Sequence, residues 1–230
     1  MERVVISGAN RGIGLGLVEA FSARGDHVLA ACRTPDSAAE LRALADHPNR
    51  TIEIVALDVT NPDSVAALPG SIGDRAIDIL INNAGIIGPK RQSSRDMDFD
   101  GWTETFAVNT LGPFRVTHAL LPALKRSGRP RIVTVSSRMG SFSSRPTDRI
   151  AYRSSKAAVN KAMQALADDL RPEGISVVVV HPGWVRTDIG GGSADLSIAE
   201  SRNGLVAVID RLDISATGRF LNYDGSEITW

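Results

Sequence analysis

In Tyr152-Arg153-Ser154-Ser155-Lys156 a phenol and an ammonium stand four residues apart, so on a helix both project from one face. A tyrosine near its ordinary pKa of about 10 is a poor proton-transfer group at neutral pH; a nearby cation stabilises the phenolate and brings it toward the working range. The pair therefore suits proton transfer at a substrate oxygen. Y-x-x-x-K also occurs often for structural reasons alone, so the spacing gains weight only from its surroundings. Upstream, Val133-Thr134-Val135-Ser136-Ser137-Arg138-Met139-Gly140 reads as a strand that ends in paired serines. One hydroxyl there can serve the turn and the other a site.

A second constellation lies near the start. Ser7-Gly8-Ala9-Asn10-Arg11-Gly12-Ile13-Gly14 follows an apolar run and opens into a helical pattern. Glycines there allow a tight turn and let backbone N–H groups approach a pyrophosphate at the positive helix end. An ordinary glycine-rich turn is the alternative, and the strand before and amphipathic helix after it favour the dinucleotide reading. At the end of the second apolar run, Leu29-Ala30-Ala31-Cys32-Arg33-Thr34 places Cys32 where an acidic residue would accept the ribose 2′-OH of NAD. Arg33 follows it, and Arg11 precedes Gly12. A carboxylate would repel a 2′-phosphate whereas a guanidinium grips it, so NADP(H) is preferred and NAD(H) stays possible.

These residues need rigid supports. β-Branched runs recur at 4–7, 28–32, 52–57, 77–81, 131–136 and 176–180, separated by stretches of helical period. Several of the runs are apolar without alternation, as in strands buried on both faces, so the reading is a doubly wound parallel sheet with helices on both faces, α/β in class. Ile13, Leu17 and Phe21, with Val18, form the inward stripe of the first helix, and Gly25 ends it. Helical stretches at 100–124 and 151–170 carry later crossovers, the second stopped by Pro172 and Gly174. The segments 90–100 and 190–193 read as loops.

Later motifs follow in the order found in the short-chain dehydrogenase/reductase family, which the chain resembles from Gly8 to the ending Phe220-Leu221-Asn222-Tyr223-Asp224-Gly225. The resemblance implies a single-domain Rossmann fold over 1–230 that binds NADP(H) or NAD(H). It assigns Asp58 and Val59 to the adenine, Asn83, Ala84 and Gly85 to the cofactor turn after the fourth strand, and Pro182, Gly183, Val185 and Thr187 to the nicotinamide end. Gly8, Asn10, Arg11, Gly12, Ile13, Gly14 and Arg33 complete the expected cofactor site. Ser137 and Tyr152 would act on the substrate oxygen, Lys156 would assist and contact the ribose, and Asn109 would kink its helix and hold a water relaying protons to the lysine. Ser137 lies fifteen residues before Tyr152, about two more than in many relatives, which implies an enlarged loop at 142–149. The details look nearest to the C-factor and Sniffer group of small carbonyl reductases.

The implied reaction is NADPH-dependent reduction of an aldehyde or ketone to an alcohol, with Tyr152 as proton donor. The small-molecule substrate is set by loops at 138–149 and 184–196, where Met139, Phe142 and Trp184 are candidates for an apolar wall. A cofactor-binding sensor or signalling protein on the same fold is the second reading; an epimerase is weaker, since little chain remains to build a substrate domain. Lys+Arg 26 against Asp+Glu 26 removes the footprint of a nucleic-acid or polybasic membrane binder. The lone Cys32 excludes an intrachain disulfide, no Cys/His spacing suggests a metal site, and His118 and His181 read as structural. No leader or membrane-length apolar run is visible, so a cytoplasmic location is expected. Relatives often pair through two long central helices, which implies a homodimer or homotetramer.

Overall fold

The structure, a computed structural model, describes residues 1–143 and 148–230. Seven strands, β1 (Arg3–Ser7), β2 (His27–Cys32), β3 (Thr51–Ala56), β4 (Ile79–Asn82), β5 (Arg131–Val135), β6 (Ser176–His181) and β7 (Phe220–Asn222), form one sheet in the order β3-β2-β1-β4-β5-β6-β7. All neighbours are parallel. The order turns between β1 and β4, and ligands of open α/β sheets bind at such a point, outside the carboxyl ends of the strands. The six expected strands are present with ends shifted by a residue or two; β7 was not separated from the family-like ending.

Alternate residues of one strand enter different cores. Val5 packs beneath α3 (Pro62–Ile72), α5 (Gly112–Leu124) and α6 (Ile150–Leu170), with Val65, Leu120 and Met163. Val4 and Ile6 pack on the opposite face under α1 (Gly12–Ala23), α2 (Ala39–Ala45) and α7 (Ile198–Arg211), with Leu17, Phe21, Leu41 and Leu205. That two-sided burial is why the central strands lack alternating polarity. The edge strand β3 alternates, with exposed Thr51 and Glu53 flanking half-buried Ile52.

The helical stretch expected at 100–124 is not one α-helix. It comprises α4 (Phe99–Phe106), a π turn over Ala107–Leu111, and α5. A π turn inserts an extra residue and turns side chains inward, a device often found at functional sites. Asn109 sits in its middle.

Candidate active site

A cavity of about 830 Å³ opens at the carboxyl ends of β1, β4, β5 and β6. Its lining joins Ile13, Asn83, Gly85, Ser137, Met139, Tyr152, Lys156, Pro182, Gly183, Trp184, Val185 and Thr187, residues spread over the whole chain. Sequence reasoning placed all of these in one site. Phe142 is the exception among the substrate candidates: it is 82% exposed and lies outside the lining, which Met139 and Trp184 join. The centre of the enlarged loop expected at 142–149, residues 144–147, lies outside the described residues.

The glycine turn between β1 and α1 is locked from β4. The Asn83 side-chain amide donates to the carbonyls of Ser7 at 3.1 Å and Gly8 at 3.0 Å, while the Ser7 hydroxyl accepts from the backbone of Asn83 and Ala84. A Cβ on Gly14 would stand 2.2 Å from the Gly8 carbonyl oxygen, so only glycine lets the helix start this close to the turn. The first turn of α1 has no acidic residue and no side-chain cap, which leaves its N–H groups and positive end for an anion. These features fit a pyrophosphate.

The two arginines differ. Arg33 is exposed, in no ion pair among the described residues, and close enough to Asp58 to help hold that carboxyl below its usual range, after the stronger effect of the Thr60 hydroxyl and N–H. Arg11, expected as a second phosphate-binding cation, instead pairs with exposed Asp188 in the segment after β6. An acid 177 residues away satisfies it. Val59 is buried against Gly112, and Asn10 lies half-buried in the turn before α1.

The paired serines divide their duties. Ser136 donates to Asn160 Oδ1 at 2.6 Å inside the fold, and Ser137 faces Tyr152 while accepting from the Met139 N–H at 3.1 Å. Tyr152 and Lys156 are both buried on one face of α6. Burial pushes Lys156 down to about 8, and its ammonium donates to the Val135 carbonyl at 3.0 Å. The expectation that Lys156 draws the phenol toward neutrality needs correcting for this arrangement. Burial holds Tyr152 above its ordinary value, opposed by the Ser137 hydroxyl and the charge of Arg149. Lys156 Nζ lies over the ring, 5.8 Å from its centroid, so its field reaches the ring face while it bonds elsewhere.

Asn109 is almost wholly buried and its side chain is fully used: Oδ1 accepts from Ile86 N–H at 2.9 Å, and Nδ2 donates to Ile86 O at 2.8 Å and Ser155 Oγ at 3.0 Å. The residue thus ties the loop after β4 to α6. His118 is exposed, whereas His181, read as structural, lines the cavity. Burial, with Arg138 nearby, lowers His181 to about 4, so the ring is neutral at pH 7, and its Nδ1 is buried without a partner.

Sequence reasoning missed Gln92, which lies in the segment read as a plain loop. Helix α6 begins after Arg149 in a left-handed conformation (φ 52°) that supplies no side-chain cap. Gln92 provides one from sixty residues away: its backbone carbonyl accepts from Ile150 N–H at 3.0 Å and its Oε1 from Tyr152 N–H at 3.1 Å. Its Nε2 donates to the carbonyls of Ile87 and Pro89. A lone loop glutamine carries no local signal for such a role.

The sequence model for short chain dehydrogenases matches residues 2–195. The C-signal of Myxococcus xanthus is 46% identical over 156 residues, covering 67% of this chain and 93% of that protein. The structure of NADPH-bound carbonyl reductase from chicken fatty liver superposes with a TM-score of 0.93 at 35% identity, covering 100% of this chain and 99% of the other. For the carbonyl reductase Sniffer of D. melanogaster the TM-score is 0.91 at 36% identity, with both chains fully covered. Among the described residues no helix is long and apolar enough to cross a membrane, and no group of metal-ligating side chains converges.

Proposed function

The chain belongs to the short chain dehydrogenase family, and on that premise we propose that it is an NADPH-dependent reductase of aldehydes or ketones. The observation that carries the reading is the meeting of Ser137, Tyr152 and Lys156 in one cavity that runs to the glycine turn. When bound, NADPH supplies a hydride to the carbonyl carbon. Tyr152 gives its phenolic proton to the carbonyl oxygen, and Ser137 holds that oxygen by a hydrogen bond. Lys156 supports the resulting phenolate and leads the replacement proton in, with Asn109 keeping the loop after β4 in register with α6. The first turn of α1, with Gly8, Gly12, Ile13 and Gly14, would hold the pyrophosphate; Arg33 the 2′-phosphate; Asp58 and Val59 the adenine; and Pro182, Gly183, Val185 and Thr187 the nicotinamide. The described residues of 138–149 and 184–196 would face the substrate, and copies pairing through the two long central helices would give a homodimer or homotetramer.

NADPH oxidation in the presence of a panel of aldehydes, ketones and quinones tests this reading. Turnover with NADPH exceeding that with NADH is expected. The likeness to C-signal favours a second reading, a cofactor-binding signalling protein. Tight NADPH binding with no turnover of any carbonyl would favour it over the reductase.

A further inference from the structure

Between positions 137 and 156 the sequence carries Arg138, Arg145, Arg149, Arg153 and Lys156 against a single acid, Asp148, although the chain as a whole balances 26 cations with 26 anions. Three of these arginines, Arg138, Arg149 and Arg153, line the cavity. Asp148 is already engaged: it accepts from Arg153 Nη2 at 2.8 Å and lies 3.9 Å from Arg149. Arg138 is in no ion pair among the described residues, and residues 144–147 (Ser-Arg-Pro-Thr) contain no acid that could give it one. Neighbouring His181 is neutral and adds no charge of its own.

Of this charge Lys156 and, through its field, Arg149 bear on the phenol, while Arg138 serves neither the proton transfer nor the cofactor's phosphates. Lys156 points inward to Val135, and the phosphate sites lie at α1 and after β2. The apolar side chains of Ile87, Met139 and Trp184 line the same cavity. A cleft with low-dielectric walls and one sign of charge concentrates ligands of the opposite sign, and one uncommitted guanidinium fork matches one carboxylate.

We propose that Arg138, reinforced by Arg149, binds a carboxylate on the substrate, so that the preferred substrates are carbonyl compounds with an apolar body and a terminal acid group. The proposal rests on the reductase reading and deepens it.

The test uses the whole protein with NADPH and two aldehydes that differ only in charge, 4-formylbenzoate and its methyl ester. The acid should have the higher kcat/KM by about tenfold, the lower bound for a charge-assisted hydrogen bond. That ratio should shrink between about 20 mM and 500 mM salt, because the site is open to solvent. Arg138→Gln should lower kcat/KM for the acid at least fivefold more than for the ester, by roughly the worth of that contact. Equal kcat/KM for the two aldehydes in the wild type, or an equal loss for both in Arg138→Gln, would overturn the carboxylate site while leaving the reductase intact. If neither aldehyde turns over, the reductase reading is judged by the wider panel of aldehydes, ketones and quinones. Calorimetric titration of the NADP⁺ complex with 4-(hydroxymethyl)benzoate and its methyl ester then decides: no preference for the acid, or one that survives Arg138→Gln, removes the assignment.

Discussion

Arg33 and Cys32 stand at the carboxyl end of β2, where the choice between a 2′-hydroxyl and a 2′-phosphate is made. Arg33 is in no ion pair among the described residues, and in the proposed cofactor site one contact from it to the phosphate would be worth roughly 1.5–3 kcal/mol, about 10- to 150-fold in affinity. Arg33→Ala should therefore raise the Kd for NADPH by that factor and leave NADH nearly unchanged in a fluorescence titration; an equal loss for both would remove the assignment. Adding Cys32→Asp should improve NADH by supplying a 2′-OH acceptor. At this scale the sequence was informative where a fixed local offset brings two side chains together, as with Tyr152 and Lys156, which meet in one cavity. It was silent where distant partners decide. The acid that binds Arg11 is remote in the chain, and the pKa directions of Tyr152 and Lys156 depend on a burial that no local pattern encodes. Phe142, an apolar residue in the right segment, turned out to face solvent.

Helix α6 carries the phenol, and the loop after β4 holds the helix. Gln92→Leu would strip the first turn of one acceptor and leave Tyr152 N–H, Ile87 O and Pro89 O without their bonds, at a cost of about 1–3 kcal/mol for such buried groups. Its unfolding midpoint in urea should fall and kcat should drop, since the turn that aims the phenol is loosened. Gln92→Glu, which keeps the acceptor, should recover part of the kcat. Wild-type kcat in Gln92→Leu would show that Tyr152 N–H needs no side-chain cap. Periodicity found the long helices but not the π turn within 99–124, because a single inserted residue hardly disturbs an apolar stripe. The start of α7 was legible and went unread: Ser197 and Glu200 form a reciprocal capping box. Strand β7, three residues long, is too short to leave a period.

A buried ion pair lies at the end of the sheet opposite the cavity. At the amino end of β5 the guanidinium of Arg131 is almost fully buried, pairs with Glu2 and donates to the Ile209 carbonyl. Losing one member of a buried pair leaves the other uncompensated. Glu2→Gln should therefore lower stability, by roughly 1–3 kcal/mol given that Glu2 keeps some contact with solvent. Because the cavity lies at the carboxyl ends of the strands, its NADPH affinity should be unaltered. A joint fall in denaturant midpoint and NADPH affinity would contradict that expectation. Fold class was legible because consecutive apolar runs and a glycine turn dictate a two-sided parallel sheet; Arg131 was not, since nothing local distinguishes a buried arginine from a surface one.

The central claim, that a buried phenol in this cavity protonates a carbonyl oxygen, is tested most directly by comparing NADPH oxidation with a saturating aldehyde in the wild type and in Tyr152→Phe. Only one oxygen atom is removed, so folding and the Kd for NADPH should stay near wild type while kcat falls by about 10²- to 10⁴-fold, the usual worth of a general acid. A Tyr152→Phe protein that binds NADPH normally and keeps more than about a tenth of wild-type kcat would contradict the account.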